Sequence, residues 1–348
     1  MAGIIDIDPP AWSIAIPSYK RHEKLCRETL QLLMKHKIQK CKIFIFVSNE
    51  DELLEYMRSL SNIHPDWEIA QEFCRGNRDK SKIVVGKPGI CAQRRFINSF
   101  FPLNHHIVSM DDDVSDVQVM CSNGEIANAK QRMCSLAAGE LQQVIEDAGV
   151  RMLQSGSYIW SVSLSQIPFH LQISGISTVF GVLVGYFFGC INRKLDCLET
   201  QFGACGDDVE RSLRYIDHDG IVLRYKMLCC VTKFREGVGG INSEIEDRKQ
   251  KELYAVNEMS IAWPEMIQVD KTVRYKAGLP MKILKSKFRR NQPLQTSSRV
   301  PGIRWIPPAQ RKKENLPTEY FEIISNFPPN LSRRQSNFAT IDEAVKLA

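Results

Sequence analysis

A chain of 348 residues is long enough to bury a substantial core, and length alone permits roughly two or three domains or one large α/β domain. Its hydrophobic and charged fractions, 43% and 25%, are those of a water-soluble globular protein and speak against a disordered chain. The net charge of +6 is unevenly spread: residues 271–348 hold 16 Lys/Arg against 5 Asp/Glu, which leaves 30 against 35 for residues 1–270. Texture changes at the same point, from apolar runs alternating with amphipathic segments to Pro-Pro pairs and Ser/Gln/Asn clusters. The expected organisation is therefore a domain over 10–270 and a basic, partly irregular extension over 271–348.

The eleven cysteines follow neither metal-ligand nor disulfide-framework spacing. Cys41, Cys190, Cys229 and Cys230 lie in apolar runs where a thiol packs as a small hydrophobe. That usage points to a reducing compartment, cytosol or nucleus. The first ten residues have no basic flank and no long apolar core, so no secretory signal is expected.

In chain order, residues 13–16 read as a short strand ending at Pro17-Ser18-Tyr19-Lys20-Arg21, 23–36 as a helix, and 42–47 as a strand. A helix follows over 50–60, then a strand over 82–85 that ends in Gly86-Lys87-Pro88-Gly89. Residues 90–100 form a helix and 107–110 a strand. A long helix is expected over 135–154, strands over 158–164 and 178–191, a helix over 208–215 and a strand over 221–232. This alternation predicts a mostly parallel central sheet with helices on both faces. Residues 171–192 carry no charge, and Gly181, Gly185 and Gly189 give a Gly-x-x-x-Gly repeat, as in packed membrane helices. Its polar first third and its β-branched and aromatic remainder argue instead for buried strands around a turn, and no membrane span is expected.

The strand at 107–110 stops abruptly at Asp111, Asp112 and Asp113. Three adjacent carboxylates repel one another and are costly to bury unpaired. In an open α/β sheet, ligands bind beyond the carboxyl ends of the strands, where these residues fall. One reading is a solvated acidic turn. The other is a site for Mg²⁺ or Mn²⁺, hard ions that take oxygen ligands and leave positions for substrate phosphates. Neighbouring strand ends favour the second. Ser18 and Tyr19 offer a hydroxyl and an aromatic face, and Lys20 and Arg21 positive charge. The turn at Gly89 opens a helix whose N-terminus attracts an anion, with Gln93, Arg94 and Arg95 in its first turns.

Ile16-Pro-Ser-Tyr-Lys-Arg21, Gly89-Ile-Cys-Ala-Gln-Arg-Arg-Phe-Ile97 and Met110-Asp-Asp-Asp-Val114 resemble the GT-A class of nucleotide-sugar glycosyltransferases. Gly185-Tyr-Phe-Phe-Gly-Cys-Ile-Asn-Arg193, Gly206-Asp-Asp-Val-Glu-Arg-Ser-Leu-Arg-Tyr215 and Thr232-Lys-Phe-Arg-Glu-Gly-Val-Gly-Gly240 extend the likeness. It is narrower still to the TET/JBP-associated glycosyltransferases, linked to sugar transfer onto hydroxymethylated pyrimidines in DNA. The likeness spans roughly residues 12–241 and leaves the basic extension uncovered.

The resemblance implies a GT-A (Rossmann-like) fold, a UDP-sugar donor with glucose as the default, and a divalent ion. It puts Pro17, Ser18, Tyr19, Arg21, Gly89 and Arg94 on the nucleoside and diphosphate. Asp111 and Asp113 would hold the ion, with Asp112 on the sugar or ribose. Asp208, with Asp207 in reserve, would take the acceptor proton, or simply cap the helix that it opens. Lys233, beside a glycine loop, would close over the diphosphate, or the segment is a plain strand-end loop. Tyr186, Phe187 and Phe188 would wall the acceptor pocket, although strand alternation sends at least one of them into the core. His218 is the nearest candidate for a third metal ligand. The basic extension suits DNA, and equally a solubilising arm or a lipid-surface patch. A protein or glycan acceptor is the alternative within the same enzyme class. A nucleotidyltransferase would need a further carboxylate on a neighbouring strand. A non-catalytic nucleic-acid-binding protein would leave the aspartates unexplained.

Overall fold

The computed structural model describes residues 8–61, 67–73, 80–120, 133–167, 170–171, 175–178, 181–232, 248–270 and 279–284, together with the backbone of 302–305 and 321–324. Strand β1 (Trp12–Pro17) leads through helices α1 (His22–Arg27) and α2 (Thr29–Lys35) to β2 (Ile43–Val47). Helix α3 (Glu50–Ser61) and strands β3 (Trp67–Ile69) and β4 (Ser81–Val85) follow, then α4 (Ile90–Phe100) and β5 (His106–Met110). The chain continues through β6 (Asp116–Met120), β7 (Met133–Ser135), α5 (Glu140–Ser155), β8 (Ile159–Val162), β9 (Ile176–Ser177) and β10 (Phe187–Ile191). Last come α6 (Asp207–Asp219), β11 (Leu223–Tyr225), β12 (Leu228–Val231), α7 (Arg248–Ala262), β13 (Ile267–Val269), β14 (Met281–Ile283), β15 (Gly302–Trp305) and β16 (Phe321–Ile324).

Nine strands form the central sheet in the order β3-β4-β2-β1-β5-β10-β8-β11-β9. All run one way except β10 and β9, which oppose their neighbours. This is the mostly parallel α/β sheet expected from the alternation of elements. Each central strand alternates between two cores. Ile14, Ile16, Ile43, Ile45 and Val47 pack with α1, α2, α3 and α5 on one face. Ala15, Phe44 and Phe46 pack with α4, α6 and α7 on the other. Burial on both faces explains why these strands read as continuous apolar runs. A smaller sheet, β12-β6-β7, flanks the main one, and β13 pairs antiparallel with β14.

The winding decides where a ligand fits. From β1 the chain moves outward to β2 and β4 with α1–α3 on one face, then returns across β1 to β5 with α4 on the other. The reversal lies between β1 and β5, and the crevice beyond their carboxyl ends is the binding position of a doubly wound sheet. Residues 18–21 and 111–113 begin there.

Several elements differ from expectation. The helix expected over 23–36 breaks at Glu28, with φ −111° and ψ −83°. The next residue, Thr29, is turned to the aspartate loop, where its Oγ1 donates to Asp111 O at 2.8 Å and accepts from Val114 N at 3.0 Å. Of the expected strand over 178–191, the described residues pair as a strand from Phe187 to Ile191. The strand expected over 221–232 is two, because β11 joins the main sheet and β12 the small one. Among the described residues no helix is long and apolar enough to cross a membrane.

At Gly189, in the middle of β10, an added Cβ would come 2.2 Å from Trp160 Nε1 and 2.7 Å from His106 Nε2. Those two atoms share a buried hydrogen bond of 2.8 Å. Gly189→Ala is expected to destabilise the fold by about 1–3 kcal/mol, as overpacking does, with a matching fall in the urea midpoint.

Candidate functional site

Ser18 and Asp112 meet across the switch point. Ser18 Oγ donates to Asp112 Oδ2 at 2.6 Å, which leaves its oxygen to accept from Tyr56 Oη, also at 2.6 Å. Tyr56 Oη in turn accepts the Arg21 backbone N–H at 3.1 Å. Glu52, buried on α3, accepts from Ser48 N, Ser48 Oγ and Lys20 N. The loop after β1 is thereby tied to α3 by Tyr56 and Glu52, neither of which the motif reading singled out. Asn49 caps the same helix by accepting Glu52 N at 2.9 Å, and the Asn-x-x-Glu spacing of a capping box was the available signal.

Arg21 Nη1 meets Asp112 Oδ1 at 3.3 Å and Asp113 Oδ2 at 3.4 Å, and Lys24 Nζ meets Asp113 Oδ2 at 3.1 Å. Asp112 and Asp113 are buried and face α1, while Asp111 points the other way, toward α4 and α6. Asp112 is pushed up to about 6, mainly by burial, with Ser18 and Arg21 opposing and Asp113 adding. Pro17 closes β1 as a buried residue, and Tyr19 is half-buried with Lys20 Nζ 4.9 Å from its ring centre.

The turn after β4 is pinned from below. Buried Gln93 accepts Lys87 N through Oε1 at 2.6 Å and donates to Val47 O at 3.1 Å, and a Cβ at Gly86 would meet Gln93 Oε1 at 2.0 Å and push this amide out of its bonds. Gly89 is exposed, has φ +81° and opens α4 without a side-chain cap. The first N–H groups of α4 are therefore presented at the edge, as an anion site requires.

Arg94 does not reach out to this turn. Its buried guanidinium donates from Nη2 to Gly185 O at 2.6 Å, meets Asp111 Oδ1 at 3.4 Å, and pairs through Nη1 with Asp207. Asp207 also meets both Nη atoms of Arg211 at 3.4 Å. The Arg94 and Arg211 guanidinium carbons lie 5.4 Å and 4.6 Å from the Phe188 ring centre. Arg94 thus joins α4, the aspartate loop, the segment before β10 and the start of α6. Arg94→Met would strip Asp207 of one of its two cations. It is expected to cost about 3 kcal/mol, read as a lower urea midpoint, since breaking a buried ion pair strands a charge.

Asp208, next in α6, is half-buried. Its Oδ1 accepts Val209 N at 2.9 Å, so it does cap the helix in part. It faces Gly185, where an ideal Cβ would lie 3.5 Å from Asp208 Cβ and 3.7 Å from Arg94 Nη2. Its carboxyl is pushed up to about 6 by burial first and the Asp207 charge second, against Val209 N–H, Arg94 and Arg211. Of the two, Asp207 is engaged by arginines and Asp208 has the freer carboxylate.

The acceptor-wall expectation is corrected at two positions. Phe187 and Phe188 are 0% and 5% exposed and lie in opposite cores, because β10 sits between β5 and β8 with helices on both sides. Tyr186 alone keeps surface at the edge, and its hydroxyl donates toward Ser163 O at 3.3 Å. His218 is at the far end of α6, ten residues or about 15 Å from Asp208 at the helical rise, and pairs with Asp219. It lies too far off to serve as a ligand beside Asp111. Lys233 and the glycines that follow it fall outside the described residues.

A divalent ion needs accessible oxygen donors. Asp111 has them: its side chain is 35% exposed and its one cation contact is long. Its pKa is pushed up to about 8 by burial, with Arg94 opposing and Asp113, Asp112 and Asp207 adding. A cation would relieve that crowding of negative charge. Asp113 is directed instead to Arg21 and Lys24, so the two outer aspartates do not form a common chelate. Among the described residues no three His, Cys, Asp or Glu side chains converge on one centre. An ion here would draw on Asp111, water and phosphate oxygens, a set that suits Mg²⁺ or Mn²⁺.

No family model and no curated protein matches the chain. Solved structures similar to it include the following two. One is TarS (1-349) of S. aureus, at 10% identity and TM-score 0.39, over 72% of this chain and 65% of that one. The other is the mannosyltransferase PcManGT of Pyrobaculum calidifontis, in complex with GDP-Man and Mn2+, at 11% identity and TM-score 0.37, over 74% and 66%. The chain spans about two thirds of the length of each. The chemistry of the edge is read from its own side chains.

Proposed function

We propose that this chain is a metal-dependent nucleotide-sugar glycosyltransferase that moves a sugar from a UDP-sugar to the hydroxyl of a 5-hydroxymethylpyrimidine in DNA. One observation carries the reading. At the switch point of a doubly wound sheet, the residue 18–21 loop, the uncapped start of α4 and the accessible Asp111 share an edge with the half-buried Asp208. These are the parts a diphosphate donor and a hydroxyl acceptor need. Lys20, Arg21 and the α4 N–H groups would receive the diphosphate, and Tyr19 would face the nucleoside. When bound, a divalent ion at Asp111 would supply Lewis-acid charge stabilisation to the departing nucleoside diphosphate. Asp208 would accept the acceptor hydroxyl's proton as the acceptor oxygen bonds to sugar C1 and the bond from C1 to the diphosphate oxygen breaks. Asp207, Arg94 and Arg211 hold Asp208 and Asp111 in place.

The DNA acceptor and glucose are supported by the sequence resemblance, and a polyanionic acceptor also by the excess of 16 basic over 5 acidic residues in 271–348. Purified protein incubated with Mn²⁺, a panel of UDP-sugars and duplex DNA with or without 5-hydroxymethylpyrimidine tests the proposal, with nucleoside mass spectrometry as the readout. A hexose mass on the modified base alone is expected. Slow release of UDP with unmodified DNA would move the acceptor to proteins or glycans, and no turnover of any UDP-sugar would refute the donor assignment.

A further inference from the structure

Arg224 lies in the middle of β11, opposite Ser161 on β8 and Ser177 on β9. Its Nε is buried without a hydrogen-bond partner, and among the described residues no carboxylate pairs with its guanidinium. Desolvation lowers its pKa, and no charge among the described residues offsets it. By contrast, Arg94, Arg151, Arg193 and Arg211 each meet an aspartate. Arg224 is half-buried with its Nε fully enclosed, so its charge is partly desolvated without a partner among the described residues, and a bound anion would supply the missing charge.

The covering segment is shaped to this side chain. A Cβ at Gly181 would come 2.1 Å from Arg224 Cζ and 2.2 Å and 2.4 Å from its two Nη atoms. The chain thus omits a side chain where the guanidinium sits, and among the described residues no acid pairs with it. Strand β11 runs parallel to β8, and both run with β5, so their carboxyl ends face the edge that carries Asp111. Gly181 is four residues before Gly185, which lies against Arg94 and Asp208. Residues 181–185 therefore connect the orphan guanidinium to the carboxylates of the proposed transfer site.

We infer that Arg224, beneath Gly181, is an anion-binding subsite on the acceptor flank of this edge and takes a phosphate group of the acceptor. A planar guanidinium fork matches two phosphate oxygens, and a polyanionic acceptor presents such groups at regular spacing. The role of the acceptor rests on the proposed function, whereas the anion site does not.

Calorimetric titration of the full chain with inorganic phosphate, in the presence of saturating UDP and Mg²⁺, tests the inference, with acetate at equal ionic strength as the carboxylate comparison. The wild type is expected to bind phosphate, and Arg224→Met about tenfold more weakly or not at all, with UDP affinity unchanged. Thermal stability of Arg224→Met should be equal to or above the wild type, because an unpaired, partly desolvated charge is removed. Gly181→Ala, which pushes the guanidinium aside and keeps its charge, should weaken phosphate binding as well. Equal phosphate affinity in wild type and Arg224→Met, no phosphate binding by the wild type, or acetate bound as tightly as phosphate would overturn the assignment. Loss of stability in Arg224→Met with phosphate affinity intact would show a structural arginine instead. A wild type that binds phosphate through Arg224 but not UDP would refute the donor reading and leave this subsite standing.

Discussion

Asp208→Asn is expected to lower the transfer rate by about 10²–10⁴, the usual contribution of a positioned proton acceptor, with UDP affinity little changed. Asn preserves shape and can still accept the Val209 N–H, so α6 should remain capped and the fold intact. The same carboxylate sets a pH signature. It acts as a base only when ionised, and its pKa is raised to about 6 by burial and by Asp207. Transfer should therefore be on a plateau well above pH 6 and fall as the pH drops through it, by about tenfold per unit at the acid end. A steady-state profile from acid to neutral pH measures this limb. Undiminished transfer by the Asn variant would remove Asp208 from the chemistry and leave it as a helix cap.

Asp111→Asn carries the second large effect. It takes away the accessible carboxylate at the switch point while sparing Asp112 and Asp113, which are held by Ser18, Arg21 and Lys24. A fall in kcat/KM of about 10²–10³ is expected, the scale of losing one preorganised charge contact. The Mn²⁺ concentration for half-maximal rate should rise with it. Full activity with an unchanged metal requirement would sink the assignment of Asp111 to the ion. The variant should fold, because Asp111 is the least buried of the three and replacing it lowers the local excess of negative charge.

Much of the framework was legible in the residues. Apolar runs ending at Pro17, Val85 and Met110 mark strands whose polar ends share an edge once the sheet is parallel, and three consecutive aspartates at one of those ends mark where a cation would be needed. What stayed hidden came from distant partners. The Arg94 interaction with Asp207 spans 113 positions in sequence, so no local pattern distinguishes a phosphate-facing arginine from one that clamps a carboxylate. Alternation placed at least one of Tyr186, Phe187 and Phe188 in the core but did not show that both phenylalanines are, since it exposes one side only when one face of the sheet is open. Here helices cover both. Tyr56 and Glu52 passed as ordinary members of an amphipathic helix, and only the fold brings them to Ser18 and Lys20. Asp113 was placed with Asp111 by the resemblance, whereas the backbone turns it toward α1 and its two cations.

The donor site is the claim on which the rest depends, and calorimetric titration of the wild-type chain with UDP, with and without Mn²⁺, tests it most directly. Saturable binding of one UDP per chain that strengthens with Mn²⁺ is the predicted result. Absence of UDP binding in both conditions would contradict it and return the three aspartates to the status of a buried acidic turn.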